Sequence, residues 1–424
     1  MNFINNNKWL SLLVICIGGG IAYILPYIQY SFYEPLREGL NLSHSQMGDL
    51  MSVLGITSSV CYLIGGIFAD KFNVKWLVSI SLAGTGLLGF WFATFPSYSE
   101  LVIIMVLFAI TTILLYWPAM IKAVKLLSSE GEYGRMFGFR EAGFGLFAFI
   151  FTQIGTWFVF NKTAGVEGAR DIIIFYSMIY IFAGVISFLF LPSSKQTTDA
   201  ENTEDNVSVL ECIQYVIKIP SVWLIGLTIF CLYTVYSPGL GKLGPYFTEI
   251  LGFDDASSAS IMSIRMYLIQ FIAAATGGLL ADKMSSIVKF IMISTTCLIV
   301  SLTFFVILPA TAEYIVMIVI SVFIISAIMY SLTGTYMAPV SEVSIPNKYL
   351  GTAIGLISFI GYLPEAFMWS VFGRMLGDNP DEAAFKSIFI ACIGFAIVGL
   401  ILSVVTYRFI VNKRDKAPAD MAIN

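Results

Sequence analysis

Four ionisable side chains interrupt runs of this sequence that are otherwise apolar. Arg140 and Glu141 stand together in "FGFREAGFG", Arg265 in "SIMSIRMYLIQF" and Glu365 in "FIGYLPEAFMWS". A guanidinium presents five donors in a planar fork that matches a carboxylate or phosphate. A carboxyl in apolar surroundings suits reversible protonation, the chemistry of ion coupling. No assembled catalytic set accompanies these groups. His44 is the one histidine, so HExxH and multi-histidine metal sites are absent, as is a GxxxxGK[ST] nucleotide loop. The residues therefore point to binding and proton transfer without catalysis: no enzyme, no metal and no cofactor is expected.

The elements that hold such charges follow from composition. The chain has 424 residues, of which 58% are hydrophobic and 12% charged, whereas soluble domains carry roughly 25% charged residues. A surface that poor in charge cannot face water all round, and the alternative solvent is lipid, where a spanning helix needs about 20 apolar residues. The net charge of −4 gives no basic surface for nucleic acid. The six cysteines, Cys16, Cys61, Cys212, Cys231, Cys297 and Cys392, have no CxxC spacing and read as small packing residues. The apolar run near the N-terminus is too long for a signal h-region and is expected to stay as the first helix.

Hydropathy predicts twelve spans, at 9–32, 47–69, 76–95, 100–123, 136–160, 172–192, 222–245, 258–281, 286–308, 312–338, 350–372 and 385–410. With the N-terminus inside, 15 Lys and Arg residues fall on the inner side and 6 on the outer, Arg140 and Arg265 lying within spans. The positive-inside rule then places both termini in the cytoplasm, in a plasma membrane of the bacterial inner-membrane kind. The one composition break is the polar, acidic "SSKQTTDAENTEDN" at 193–206, followed by the amphipathic "VSVLECIQYVIKIP". It divides the chain into a six-helix half at 1–192, a cytoplasmic linker at 193–221, a second six-helix half at 222–410 and a tail at 411–424.

The halves echo each other. "GGIFADKF" at 65–72 returns as "GGLLADKM" at 277–284, and "YGRMFGF" at 133–139 is echoed by "LGTAIGL" at 350–356. Duplicated six-helix halves place a solute site near the midplane and move it by rocking one half against the other. "GGIFADKFNVKW" resembles the inter-helix signature of the major facilitator superfamily, with Gly66, Asp70, Lys71 and Lys75 in its positions and Asn73 and Val74 departing from it. Gly278, Asp282 and Lys283 repeat the motif in the second half. The resemblance implies an all-α polytopic fold of twelve helices in two pseudo-symmetric halves. It implies secondary transport by alternating access, with these seven residues latching the inner ends. "YWPAMIKAVKLLSSEGEYGRMFGF" and "SEVSIPNKYLGTAIGLISFIGYL" are most similar to the organophosphate:phosphate antiporter branch. That branch's two phosphate-binding arginines fall on Tyr27 and Ser237 here, and its histidine on Phe144, so the resemblance carries the scaffold and not the cargo.

Charges inside spans cost from about 2.5 kcal/mol upward and mark function by default. Arg140 and Glu141 lie about 9 Å into span five, counted from Gly134 at 1.5 Å per residue. Successive residues on a helix diverge by about 100°, so this pair is not expected to bond to itself. Arg140 shares a face with Met136, Phe144 and Phe147 and is expected to line the solute path. Glu141 shares one with Gly134, Gly138 and Gly145 and is expected against a neighbouring helix. Competing with this is a structural ion pair between Arg140 and an acid of another span. Glu365, after Pro364, is the expected proton-coupling carboxylate, with Glu141 second. Arg265 is expected at a gate or cavity wall, or snorkelling to the interface. Tyr27, Tyr30, Tyr116, Tyr236 and Tyr336 complete the expected solute contacts, each a hydroxyl on an apolar wall. Lys242 is expected to reach the outer interface, and His44 an exposed outer loop.

The expected partners are a small solute, preferably an organic anion, together with protons and the lipid bilayer, for a chain acting as a monomer. The alternatives are a neutral polar or amphipathic solute such as a sugar, imported or exported, and a non-transporting receptor on the same scaffold.

Overall fold

The computed structural model describes residues 8–127, 133–191, 209–284, 286–343 and 345–415, and no strand occurs among them. The polar linker at 193–206 and most of the tail lie outside these ranges, and the side chains at 63–71 and Asp282 are likewise outside the description. Among the described residues, ten helices are long and apolar enough to cross a membrane. Span one, Lys8–Ala22, and span two, His44–Lys71, bring the number to the expected twelve.

Local chemistry sets the ends of several spans. Asn73 precedes span three, Val74–Phe92, and its side chain accepts a hydrogen bond from the Lys75 N–H at 3.0 Å. Span four opens at Tyr98 on a capping box between Ser97 and Glu100. Asp254 caps span eight by accepting from the Ser257 N–H at 2.9 Å. Each cap satisfies an N–H that the first helical turn leaves without a partner. Glu342 does the same for span nine, Ile287–Ile307, by accepting from the Ile287 N–H and from the Ser286 hydroxyl.

Several spans are interrupted along their length. Span one was read as 9–32, yet its helix stops at Ala22, and a separate short turn follows at Ile28–Tyr30. Pro26 lies in the gap and lacks the N–H that would continue the ladder. Span eleven is split by Leu363–Ala366, between Asn347–Tyr362 and Met368–Leu376, at Pro364. Wide π-type turns occur at Ile110–Tyr116 in span four, Gly155–Phe160 in span five, Val235–Gly239 in span seven and Ile264–Ile269 in span eight. Such turns re-aim side chains and are frequent at functional sites.

Packing groups the chain into two units. The first holds spans one to six together with residues 241–271 and 365–384, drawn from spans seven, eight and eleven. Within it, spans three and four are joined by polar contacts, Ser81 donating to the Thr111 carbonyl at 2.6 Å and Thr85 to the Thr111 hydroxyl at 2.8 Å. Span two meets the far part of span eleven with backbones nearly touching. A Cβ on Gly48 would lie 2.3 Å from the Trp369 carbonyl oxygen, and one on Gly55 would lie 2.4 Å from that of Glu365. In lipid, where apolar burial gives helices no advantage, this close approach is the main source of attraction.

The second unit holds the remaining parts of spans seven to twelve and the amphipathic helix Val209–Val216. Tyr215 of that helix stacks on Tyr349 at a centroid distance of 4.0 Å. Large apolar side chains such as Leu87, Phe182, Leu279 and Val300 are exposed on the two units, as a hydrocarbon solvent requires.

Candidate functional site

Span five, beginning at Tyr133, packs against span one through small residues. A Cβ on Gly143 would come within 2.3 Å of Cys16 Sγ, and one on Gly20 within 2.5 Å of Phe147. This approach lays Arg140 beside Gly19, whose added Cβ would sit 3.4 Å from Arg140 Nη2 and 3.5 Å from the Tyr116 hydroxyl. The contact glycine of span five is thus Gly143. Of the expected stripe, Gly145 makes only ordinary contact with Phe271 and Tyr267, at 3.4 Å, and the surroundings of Gly134 and Gly138 lie outside the description.

Arg140 is buried, 2% exposed, and its guanidinium carbon lies 5.2 Å from the Phe144 ring centroid and 5.9 Å from that of Trp117. Its Nη1 pairs with Glu141. The expectation that these neighbours would not bond is therefore corrected. Their Cα–Cβ bonds do diverge, but the arginine stem is long enough to fold back along the helix to the next carboxylate. Nε and Nη2 have no hydrogen-bond partner among the described residues. The Glu141 side chain is 44% exposed, whereas that of Arg140 is enclosed. The buried cation is thus held by two aromatic faces and one carboxylate, with Nε and Nη2 left over among the described residues.

The other charges are placed as follows. Arg265 lies in the wide turn of span eight, 2% exposed, with Nε lacking a hydrogen bond among the described residues. It faces the interior and does not snorkel. The same turn reaches span five, where Tyr267 meets Phe144 edge-on at 6.5 Å. Glu365 is buried in the short turn that breaks span eleven, against Gly55 of span two. It lies within electrostatic range of Tyr27.

The expected tyrosines form two groups, one in each unit. In the first unit Tyr23, Tyr27 and Tyr30 run in ring contact, with centroids 6.5 and 5.8 Å apart, and Tyr116 meets Tyr23 at 6.3 Å. Tyr30 continues to Trp369 at 5.2 Å. In the second unit Tyr236 contacts Tyr330 and Tyr233, Tyr233 contacts Tyr362, and the Tyr336 hydroxyl donates to that of Tyr362 at 3.3 Å. Tyr362 escaped the reading of single residues, although it stands two positions before the Pro364 break.

Of the latch residues, the side chains of Gly66, Asp70, Lys71 and Asp282 are outside the described set. Lys75 reaches over the Phe188 ring at 4.7 Å, and Lys283 is exposed. A Cβ on Gly278 would meet nothing within 4 Å, whereas one on Gly277 would meet Ser331 Cα at 2.7 Å, so the close-packing glycine of this copy is the preceding one. Cys16, Cys61, Cys231 and Cys392 are buried as expected of packing residues, but Cys297 is exposed. The Cys212 side chain lies outside the description.

Two expectations fail at the end of the first unit remote from Lys8. His44 is fully buried at the head of span two, because the short helix Tyr33–Leu40 folds over it and Tyr33 stacks on its ring at 5.6 Å. Lys242 is also fully buried, with Nζ 5.4 and 5.3 Å from the Tyr33 and Trp369 ring centroids. Aromatic faces hold its charge in place of interfacial water.

The family described as Major Facilitator Superfamily matches residues 10–368. The chain is 31% identical over 421 residues to "Inner membrane protein YihN" of Escherichia coli (strain K12), covering 97% of this chain and 98% of that protein. A shorter likeness, 28% over 186 residues, covers 43% of this chain and 37% of the human "Lysosomal dipeptide transporter MFSD1". Among solved structures, a mutant form of the nucleoside transporter NupG is similar with a TM-score of 0.76 at 13% identity, covering 95% of this chain and 100% of that one. A bacterial homologue of the human lysosomal transporter Spinster, inward-facing and unoccupied, gives 0.75 at 13% identity, over 97% of this chain and 98% of that one. At these identities the structural likeness is one of fold.

Proposed function

The chain belongs to the Major Facilitator Superfamily, and on that premise we propose that the small solute it transports across the membrane carries a carboxylate or similar anionic group, bound at Arg140 and moved together with protons through Glu365. The observation that carries this reading is the buried Arg140 guanidinium, whose Nε and Nη2 make no hydrogen bond among the described residues. An acceptor there would convert a costly buried charge into a bidentate pair. The Tyr116 hydroxyl on the same side of Gly19 supplies a polar neighbour for the rest of the solute. Arg265 in its wide turn is the second cation of the path, with Tyr27 and Tyr30 of the same unit as further solute contacts.

Both termini are proposed to lie in the cytoplasm, so the glycine contacts of span two with Trp369 and Glu365 belong to the outer end. Alternating access requires those contacts to part when the outer side opens. Glu365 sits on one of them, so its protonation state and that opening are coupled by position.

A second reading is favoured by one observation, the half-exposed Glu141 beside Arg140. A carboxylate next to a guanidinium suits a zwitterion, whose ammonium would meet Glu141 and whose carboxylate would meet Arg140. The partial likeness to a dipeptide transporter supports short peptides as candidates.

Thermal stabilisation of the purified protein by carboxylates, dipeptides, nucleosides and sugars tests both readings, in wild type and in Arg140→Gln. A shift for anions lost in the variant supports the first. A shift for zwitterions alone, lost also in Glu141→Gln, supports the second. Equal stabilisation of wild type and Arg140→Gln by a neutral solute overturns both.

A further inference from the structure

The end of the first unit remote from Lys8 holds three acceptor groups that face one another, with no donor from another residue directed at the facing atoms among the described residues. They are Oε1 of Glu34, Nε2 of His44 and Oε1 of Glu249, and one ligand atom of each residue lies within 4.8 Å of those of the other two. For Glu34 and His44 the other polar atom of the side chain is already used. Glu34 gives Oε2 to Arg37, which donates from Nε at 2.9 Å and Nη2 at 2.8 Å. His44 Nδ1 is hydrogen-bonded to the Tyr33 hydroxyl at 2.9 Å, which aims Nε2 at Glu249 Oε1, 3.6 Å away. Burial removes water as a partner for the imidazole, which is fully enclosed.

We propose that Glu34, His44 and Glu249 form a binding site for a divalent transition-metal cation, zinc or manganese. Imidazole nitrogen with two carboxylate oxygens is a donor set for those ions, and an imidazole held at its other nitrogen is the usual arrangement of a metal-bound histidine. Ligand atoms about 2.1 Å from a tetrahedral ion lie about 3.4 Å from one another. The His44–Glu249 separation of 3.6 Å already approaches that edge, and the Glu34 ligand atom lies within 4.8 Å of both. When Nε2 binds the ion, Nδ1 carries the imidazole proton and donates it to Tyr33.

The surroundings favour a dication. Glu34 and Glu249 open on a cavity of about 790 Å³ that is also lined by Glu38, Asp254, Asp255 and Asp378. Against these carboxylates stand Arg37 in the cavity wall and Lys242, whose ammonium lies over the rings of Tyr33 and Trp369. The acids outnumber the cations, and the cavity leads from solvent to the ligands. The three ligands come from the Tyr33–Leu40 helix, the head of span two and the end of span seven. A bound ion therefore ties these three segments together and stabilises the contacts between them. The inference is independent of which solute the protein moves.

The test is metal binding to the chelator-stripped full-length protein in detergent, titrated with zinc and manganese against a chromophoric competitor. One ion per chain is expected, with affinity reduced at least tenfold in His44→Ala and in Glu249→Gln and unchanged in Cys297→Ser. No binding by the wild type of either metal, or binding that survives both ligand variants, overturns the site. Should the variants fail to fold, the spectrum of the cobalt-substituted wild type decides. Nitrogen and oxygen ligation in a tetrahedral field supports the proposal, and a thiolate charge-transfer band refutes it.

Discussion

Gly241 lies so close to Trp369 that a Cβ at this position would sit 2.1 Å from the indole Cη2. Trp369 is itself fully buried, and its backbone carbonyl is approached by Gly48. One residue therefore packs its indole on a glycine of span seven and its backbone on a glycine of span two. Gly241→Ala is expected to destabilise the purified protein by about 1–3 kcal/mol, the cost of overpacking an interior that cannot relax. Thermal unfolding checks it, and an unchanged midpoint would mean that the indole moves freely.

The same packing carries a transport consequence. Gly48 and Gly55 let span two touch span eleven, and either Gly→Ala substitution should part this contact. A cysteine placed at buried Ser370 should then be alkylated several-fold faster than in the parent. Equal rates in both backgrounds would show that the contact does not limit access.

Arg140→Lys should behave like Arg140→Gln in solute binding. An ammonium cannot reproduce the planar fork, nor lie across the rings of Phe144 and Trp117 as the guanidinium does. Losing hydrogen bonds to a charged group costs roughly 1.5–3 kcal/mol, a tenfold to hundredfold fall in affinity. Retention of affinity in the lysine variant would argue for simple charge attraction.

Glu365→Gln is expected to abolish uptake driven by a proton gradient and to leave exchange of labelled for unlabelled solute intact. The amide mimics a carboxyl that never releases its proton, so it permits the movement and removes the coupling. Loss of exchange as well would make Glu365 a structural or solute-binding group.

Asp254 provides a pH-dependent contribution outside the membrane. Its hydrogen bonds from Ser257 hold the carboxyl below the usual aspartate range. A depressed value in the folded state means stability that is present above the unfolded value and lost as pH falls through the folded one. Asp254→Ala should cost about 1 kcal/mol at neutral pH, as cap removal does, and the difference from wild type should vanish in acid. Thermal unfolding of both proteins across that pH range checks it.

Hydropathy and charge are properties of short stretches, and they were sufficient to place the spans along the chain, to single out Arg140, Arg265 and Glu365 as charges within them, and to mark the repeat of "GGIFADKF". These readings needed only the cost of polar groups in lipid, which acts on each residue wherever its neighbours fall. Pro364 likewise announced the break that carries Glu365. What a side chain meets depends on how helices pack, and this the order of residues did not disclose. Arg140 folds back onto Glu141 because its stem reaches around the helix. His44 and Lys242, expected in an outer loop and at an interface, are enclosed because the Tyr33–Leu40 helix and Trp369 close over them. The convergence of Glu34, His44 and Glu249 joins positions more than 200 residues apart in the chain. No local pattern records it, because the attraction that gathers those segments lies in backbone contacts and aromatic faces that exist only once the chain has folded.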